Sequence, residues 1–216
     1  GNGNFTISRN ASVTTTDQPI GVIDFASNTA HTVQARVMGK TRGTSNVGGD
    51  LVFEARANGG SLDERVRITG GGLVLIGRTA SRNVGGSTTY AKLQVAGTSQ
   101  SDSSISLVNN ENNTNGPFVF FGKTRGSSVG ATTIVQSGDT LGGLSFIGAD
   151  STDLNNRTAE ITAVVNGSPS GNTIPTDLTF STSAQNATQM AERMRIYSSG
   201  RILIGNGASE GGPSGN

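Results

Sequence analysis

Short bursts of apolar residues, separated by Gly, Asn, Ser, Asp and Pro, run along the whole chain. In residues 64–68, ERVRI, the apolar Val66 and Ile68 alternate with arginines, which predicts a strand with one apolar and one cationic face. Residues 73–77, LVLIG, are apolar at consecutive positions, so this strand is expected to be covered on both faces. The turn between them contains Gly72, which can take positive φ. The stretch therefore predicts a β-hairpin with an arginine-bearing arm and a buried arm.

This hairpin pattern occurs twice. Residues 192–205, ERMRIYSSGRILIG, share eight of fourteen positions with residues 64–77. DLVFEA and DLTFST precede the two copies, and GKTRG also occurs twice. Internal repetition of this kind indicates repeated supersecondary units. We predict a first β module, residues 1–97 with an N-terminal connecting segment, and a second, longer module, residues 98–216 with a Gly/Ser-rich tail.

Ten further segments have the length and composition of strands, and turn-forming residues separate them. They are residues 21–25, 32–39, 50–55, 92–97, 104–108, 118–122, 132–136, 142–148, 159–165 and 177–181. GVIDF at 21–25 resembles both FVFFG at 118–122 and GGLSF at 142–146, so the alignment of the two modules stays open in the middle. No segment is a convincing amphipathic helix, and the chain is predicted to be all-β.

The composition bears on how these strands find a core. Hydrophobic residues make up 32% of the chain and aromatic residues 5%, while glycine supplies 32 of the 216 residues. So few apolar side chains must offset an ordering cost of about 1–2 kcal/mol per residue. The ordered bursts and the balanced charge, 16 basic against 15 acidic residues, argue against disorder. We therefore predict that identical chains wind around a common axis and share one core, most simply as a homotrimer without exposed strand edges.

Residues 175–205, PTDLTFSTSAQNATQMAERMRIYSSGRILIG, resemble a repeat of bacteriophage tail fibres of the type RLxFxT…ERMRIxSxGxVxIGT…AKLxV. Residues 50–77, followed by AKLQVAG at 91–97, carry the fuller version, and residues 142–172 are also similar to segments of these fibres. The second hairpin departs from the pattern because no AKLxV follows it. The resemblance implies an elongated homotrimeric fibre of short-strand modules, interwound like a β-sandwich, β-prism or β-helix.

The resemblance also implies a function, which is a structural and adhesive segment of a tail fibre that attaches the virion to the host cell surface. The implied partners are further copies of the chain, other phage tail proteins, and a host surface glycan or outer-membrane receptor. The implied location is the extracellular virion, after synthesis in the bacterial cytoplasm. A polysaccharide-degrading tail spike and a bacterial surface adhesin or filament subunit are the alternatives. Balanced charge and the lack of a long apolar run argue against nucleic acid and membrane insertion.

Charged residues in the repeated motifs are the candidate site residues. ERxR occurs in both hairpins, which suggests Glu–Arg pairs between chains that fix the register of a trimer, with a solvated charged strand face as the alternative. These residues are Glu64, Arg65, Arg67, Glu192, Arg193 and Arg195. GKTRG lacks the upstream glycine of a phosphate-binding loop, and it predicts a strand-end turn with exposed cations, with a surface row that contacts anionic polysaccharide as the alternative. These residues are Lys40, Arg42, Lys123 and Arg125. Receptor contacts are expected in the loops at 26–31, 109–115 and 148–156.

Catalytic chemistry is sparse in this sequence. The chain has no cysteine and a single histidine, His31, so it lacks the residues of common metal sites and nucleophilic triads. A glycosidase needs two carboxyl groups about 5–10 Å apart in a groove, usually beside aromatic platforms, and this chain has no Trp and two Tyr. The available carboxylates are Asp24, Glu54, Asp139, Asp150, Asp153, Glu160 and Asp177. We expect no enzyme activity, no cofactor and no metal ion.

Overall fold

The computed structural model describes residues 6–7, 15–27, 29–44, 48–86, 90–185 and 187–205. Eleven strands lie within these ranges. They are β1 (Pro19–Ser27), β2 (Thr32–Thr41), β3 (Gly49–Arg56), β4 (Leu62–Ile68), β5 (Val74–Ile76), β6 (Leu93–Val95), β7 (Thr140–Gly148), β8 (Asn156–Val165), β9 (Thr176–Ser183), β10 (Met190–Ile196) and β11 (Ile202–Ile204). The single helical turn of the described chain, Ser101–Ser103, is too short to cross a bilayer. The prediction of an all-β fold is confirmed.

The contacts divide the chain into two units. Unit 1 comprises Gly1–Arg82 and Tyr90–Ser106, and unit 2 comprises Asn83–Thr89 and Leu107–Asn216. Unit 1 contains a six-stranded sheet in the order β1-β2-β3-β4-β5-β6, which is antiparallel except for the parallel pairing of β6 with β5. Unit 2 contains a five-stranded antiparallel sheet in the order β11-β10-β9-β8-β7. The division into repeat modules at residue 97 stays a prediction of the sequence.

Strands β1–β5 and β7–β11 follow the same register, so the two sheets are repeats of one design. One row of paired residues in the first sheet runs through Gly21, Gly39, Leu51 and Ile68. The matching row in the second sheet runs through Gly142, Ala163, Leu178 and Ile196. GVIDF at 21–25 therefore corresponds to GGLSF at 142–146, which settles the alignment that the sequence left open.

Both sheets carry a bulge at the same position. The register between β3 and β4 shifts at Phe53 and Glu54, which leaves Arg65 as the unpaired residue of β4. The register between β9 and β10 shifts in the same way and leaves Arg193 unpaired. A bulge inserts one residue into a strand and changes the face to which the following side chains point. As a result, residues three apart in the ERxR motif share one face, where strict alternation would separate them.

Each sheet has a charged face and an apolar face. In unit 1 the charged face contains a row that is buried within the chain, formed by Met38, Val52, Arg67, Leu75 and Gln94. The apolar face is the one to which Leu51 and Phe53 point in unit 1, and Leu144 and Phe180 in unit 2. Its large side chains stay open to solvent, with Leu51 41% and Leu144 52% exposed.

The prediction that the second hairpin arm is covered on both faces is therefore confirmed for one face only. Leu75 on the charged face is 0% exposed, as predicted for LVLIG. Ile76 on the opposite face is 37% exposed, and Ile204 in the second copy is 78% exposed. On the apolar face of each sheet, the described residues thus leave several large side chains open to solvent, while Phe53 and Phe180 are half-buried.

Three predicted strands are absent from both sheets. Residues 104–108, 118–122 and 132–136 lie outside every strand of the described chain. The strand-like pattern of these segments is genuine in sequence, but a strand also needs a ladder of backbone hydrogen bonds. Among the described residues, 132–136 makes only isolated backbone hydrogen bonds, such as the one that Thr133 accepts from Arg125, and 118–122 makes none.

The two GKTRG copies occupy different places in the fold. The first lies at the end of β2, where Lys40 pairs with Asp50. The position in unit 2 that pairs with the matching Asp177 is Val164 of β8, whereas the second GKTRG lies before β7 outside any strand. The shared pentapeptide is therefore a poor guide to the alignment of the repeats.

Candidate functional site

An arginine on the charged face of the first sheet gathers carboxylates around it. Nε and Nη2 of Arg67 donate to the two carboxylate oxygens of Glu64 at 2.7 and 2.8 Å, and Nη1 donates to Oδ2 of Asp50 at 2.8 Å. Both Arg67 and Asp50 are buried. We call these three residues the unit 1 clamp. The bulge in β4 makes the bidentate contact possible, because it turns Glu64 and Arg67 to the same face.

Further groups complete the unit 1 clamp. The backbone N–H of Gly70 donates to Oδ1 of Asp50 at 2.8 Å, and Oδ1 of Asp17 accepts a hydrogen bond from Nη1 of Arg67 at 2.8 Å. Nζ of Lys40 lies 3.5 Å from Oε2 of Glu64. A buried charge is tolerated only when it is paired and hydrogen-bonded. Here every oxygen of the two buried carboxylates has a partner.

Unit 2 contains the same arrangement, the unit 2 clamp, formed by Arg195, Glu192 and Asp177. Arg195 donates to Oε1 and Oε2 of Glu192 at 2.8 and 2.5 Å, and to Oδ2 of Asp177 at 2.8 Å. The backbone N–H of Ser198 donates to Oδ1 of Asp177 at 2.9 Å, as Gly70 does to Asp50. Nδ2 of Asn166 donates to Oδ2 of Asp177 at 2.7 Å. The repeated sequence thus builds a repeated clamp.

The clamps shift the pKa of both arginines and of Asp177 toward the charged form. The hydrogen bonds to Glu64 and then to Asp50 raise the pKa of Arg67 against the opposing effect of burial. Those to Glu192 and then Asp177 raise the pKa of Arg195. Burial alone would raise the pKa of Asp177, but the hydrogen bonds from Arg195, Ser198 and Asn166 together lower it. Each clamp therefore fastens two strands and the following turn through a charged arginine.

Sheet 1 is the six-stranded sheet of unit 1, and sheet 2 is the five-stranded sheet of unit 2. In sheet 1 a line of ion pairs extends from the clamp toward β1. Glu54 lies 4.0 Å from Nζ of Lys40 and 3.7 Å from Nη1 of Arg36. Arg36 in turn donates to both oxygens of Asp24, at 2.5 and 3.0 Å, and this contact lowers the pKa of Asp24. In sheet 2 the positions of Asp24 and Arg36 are taken by Ser145 and Glu160, joined by a 2.7 Å hydrogen bond. The charge pattern is thus more extensive in unit 1.

The predicted trimer-register residues fall into two groups. Glu64 with Arg67, and Glu192 with Arg195, meet within one chain as described above. The bulge arginines lie apart from the clamps. Arg65 donates to the carbonyl of Ala55 and to Asp63, each at 3.2 Å, and Arg193 donates to Oγ1 of Thr182 at 3.2 Å. Pairing between chains stays a prediction, and the clamp arginines already have carboxylate partners inside one chain.

The four predicted glycan-contacting cations also differ in whether they form ion pairs within the chain. Lys40 belongs to the ion-pair line of sheet 1, and its side chain is 16% exposed. Arg125 forms a bidentate pair with Asp139 at 2.7 and 2.8 Å. That pair and the N–H of Gln136 lower the pKa of Asp139 to about 2. Arg42, 45% exposed and 4.0 Å from Asp50, and the exposed Lys123 are the two that present charge to solvent most openly.

The remaining carboxylates also have partners within the chain. Glu160 lies 3.6 Å from Nη1 of Arg157, and Asp153 accepts from both nitrogens of Asn155 at 2.8 Å. Backbone N–H groups of Asp153 and Thr152 lower the pKa of Asp150. Among the described residues no group of three or more His, Cys, Asp or Glu side chains could hold a metal ion. His31 is exposed, with φ of 50° in the turn between β1 and β2.

A polar cavity of about 610 Å³ lies in unit 2 beside the predicted contact loop at 148–156. Amide, hydroxyl and guanidinium groups line it, together with apolar side chains of β10 and its preceding loop. The main contributors are Asn155, Asn156, Arg157, Ser183, Gln189 and Met190. Oδ1 of Asn155 is buried and accepts no hydrogen bond. The cavity thus presents amide, hydroxyl and guanidinium groups, which can hydrogen-bond a polar ligand.

Sequence reasoning missed Asp50 and Asp17, and it named Asp177 only as a carboxylate available to a glycosidase. Asp50 and Asp177 each begin a strand segment, and DLVFEA and DLTFST repeat with an aspartate first. That repetition was the available signal, because a strand-initial aspartate opposite a repeated arginine is a candidate partner. In the second module the position of Asp17 is taken by Gly138, which makes the same backbone hydrogen bond but has no carboxylate. No signal in the sequence pointed to Asp17.

The chain has a phage tail-fibre-like fold. It is similar to the carboxy-terminal domain of the bacteriophage T5 L-shaped tail fibre, with a TM-score of 0.78, 16% sequence identity, and coverage of 98% of this chain and 88% of that chain. It is also similar to the same domain with its intra-molecular chaperone domain, with a TM-score of 0.79 and 14% identity. That match covers 98% of this chain and 61% of that chain. No protein-family model and no curated protein sequence matches the chain.

Proposed function

We propose that this chain is a segment of a phage tail fibre, located on the virion, that assembles as a homotrimer and mediates attachment to the host cell surface. The tail-fibre-like fold, which extends over 98% of the chain, supports the role in a fibre. The proposal of assembly is carried by the apolar faces of the two sheets, which one chain leaves open to solvent.

The apolar faces support self-association because they are extensive and lie opposite the clamps. In unit 1 they include Ile23, 47% exposed, and Phe25, 56% exposed. In unit 2 they include Phe146, 55% exposed, and Ile202, 56% exposed. A monomeric soluble protein rarely exposes contiguous apolar patches of this kind. Burial of such side chains stabilises by about 25 cal/mol per Å² of apolar area, and further copies of the chain supply the matching surface.

The mass in solution tests the assembly. Light scattering is expected to give about 66 kDa, three times the chain mass of 22.0 kDa. Leu144→Asp places a charge on the apolar face and is expected to reduce the mass to that of one chain. Ser199→Asp, in the exposed turn after β10, is the matched control and should leave the mass unchanged. A wild-type mass near 22 kDa would contradict the proposal.

We further propose that attachment is adhesive and that this chain is not an enzyme. Its carboxylates support this interpretation, because hydrogen bonds lower the pKa of Asp24, Asp139, Asp150 and Asp177. A glycosidase general acid needs the opposite, a raised pKa. Incubation with polysaccharide from a susceptible host should release no oligosaccharide, and release of a defined product would overturn this part of the proposal.

Receptor contact is assigned to polar features of the loops. The open cations Arg42 and Lys123 and the polar cavity beside Asn155 supply the hydrogen-bond and charge groups that glycans use. Repetition across three chains would multiply weak contacts by avidity. Binding to host cells should fall at least tenfold in Lys123→Ala or Gln189→Ala. Arg125→Ala is the control, because Asp139 already neutralises that cation.

A further inference from the structure

Residues 118–122, FVFFG, combine exposed apolar side chains with an unpaired backbone. Phe118 is 70% exposed, Val119 64%, Phe120 89% and Phe121 54%. Within the part of the chain that the structure describes, their backbone N–H and C=O groups make no hydrogen bond to another backbone group. We call this stretch the FVFFG segment.

The segment has the alternation of a strand. The rings of Phe118 and Phe120 lie on the same side, with centroids 5.8 Å apart. Val119 and Phe121 are the alternate residues, so apolar side chains stand on both sides. A strand that is apolar on both sides requires cover on both faces. Among the described residues it has no partner strand, and only Phe121 is partly covered, by the face of β7.

The segment is held against its own sheet at one end only. A Cβ added to Gly142 of β7 would overlap the side chain of Phe121, which shows how closely Phe121 lies over this glycine. Gly142 belongs to the row that includes Ala163 and Leu178 on the apolar face. The segment therefore crosses over the face of β7 and does not lie beside its edge, so it cannot pair with β7 of its own chain.

Unpaired strand edges are also present in the chain. β7 is the last strand of its sheet and has a neighbour, β8, on one side only. An open edge presents N–H and C=O groups that template another strand. The described chain thus contains both an unpaired segment and, at β7, an open edge that this segment does not meet.

We propose that the FVFFG segment adds as a strand to an open sheet edge of a neighbouring copy of this chain. The partner is a second copy because the same chain supplies the segment, the edge and the apolar faces that cover the segment. The formal net charge of +1 produces little repulsion between copies, and the segment itself is uncharged. The inference rests on the proposed self-assembly and specifies how the copies interlock, by exchange of a strand in addition to contact between faces.

Hydrogen exchange on the assembled protein tests the inference, with light scattering on the same sample. The amides of residues 118–122 should exchange at least 100-fold more slowly than those of the loop at 109–115. A mass of about three chains with rapid exchange in the segment would overturn strand addition and leave the proposed trimer intact. A mass of one chain would overturn both.

A pair of variants tests the side chains. The double variant Phe118→Ser, Phe120→Ser removes two apolar groups from the segment and should weaken association between chains at least tenfold. Val129→Ser is the control, because Val129 is a fully exposed apolar residue in the same region that lies outside the segment. Circular dichroism of both variants should retain the β signal of wild type. Equal association of the two variants would contradict the proposal.

Discussion

The unit 1 and unit 2 clamps contain the same three residue types at the same places in the sheet, yet they differ in depth. The Arg67 side chain is 5% exposed and has three carboxylate partners, Glu64, Asp50 and Asp17. The Arg195 side chain is 25% exposed and has two, Glu192 and Asp177. The repeated motif therefore determines which side chains pair in each clamp. Residues outside the motif determine how much of the arginine side chain remains exposed to solvent.

The largest expected difference between the units comes from removal of the clamp arginines. Arg67→Met removes the main partner of two buried carboxylates, which keep only the longer contacts to Lys40 and Arg42, and should destabilise unit 1 by about 3–5 kcal/mol. Arg195→Met should destabilise unit 2 by about 1–3 kcal/mol, because the Arg195 and Glu192 side chains are 25% and 32% exposed, although Asp177 is buried. Hydrogen exchange of the backbone amides in β4 and in β10 measures the stability of the two units separately. Arg65→Met and Arg193→Met, at the bulges, are controls that should cost little. Equal losses in the two clamp variants would contradict the difference in depth.

The next largest difference in stability between the units is expected for substitution of the glycine that ends each repeated hairpin. Gly77 has φ of 73°, and a Cβ there would overlap the backbone carbonyl oxygen of Ala96, just beyond β6. Gly205 has φ of 113°, and no atom of the described residues lies within 4 Å of an added Cβ. Gly77→Ala should lower stability by more than about 3 kcal/mol, since positive φ and steric overlap add, whereas Gly205→Ala should cost about 1 kcal/mol. Thermal unfolding measures both, and a larger effect at Gly205 would contradict the role of β6.

Asp17 and Gly138 make the same backbone contact with positive φ, 62° and 87°, but only Asp17 contributes a carboxylate. Asp17→Asn removes the charge and keeps a side chain at positive φ, so it should lose up to about 1 kcal/mol for an exposed ion pair. Asp17→Gly loses the same charge but relieves the backbone, and it should be more stable than Asp17→Asn by about 0.5–1 kcal/mol. Urea unfolding distinguishes the two. The reverse ranking would show that relief of the backbone does not decide stability at this position.

The smallest effect is expected at low pH, at the surface pair of Arg125 and Asp139. The folded pKa of Asp139, about 2, lies below its ordinary value of 3.8, so its contribution to stability is present above about pH 4 and is lost as the pH falls toward 2. Asp139→Asn should flatten the stability profile in this window. Asp177 in the clamp also has a lowered pKa, so Asp177→Asn should act in the same acidic direction. A titration of the carboxyl carbons by NMR measures both. An Asp139 that titrates near 4 would contradict the bidentate pair.

Much of the fold was predictable from the sequence for a simple physical reason. Strand period, turn glycines and the repeated hairpin are local signals, and they correctly predicted both arms of each hairpin and most other strands. The carboxylate partners of the arginines were harder to predict from the sequence, because the bulge at Arg65 and Arg193 reverses the face to which the neighbouring side chains point. The strand pattern at 118–122 gave a wrong prediction for one chain, since pairing depends on a neighbour that local sequence does not encode.

The sequence by itself determined the all-β class, the duplication of the hairpin and the residue types that form the clamps, since these depend on residues near one another in the chain. Only the tertiary structure decided that Asp50 and Asp177 complete the clamps, that GVIDF corresponds to GGLSF, and that the apolar faces remain uncovered. These features depend on the register between strands and on what lies across each face. Hydrophobic alternation predicts that a strand has two different faces, but it does not specify whether the apolar one is covered by the same chain.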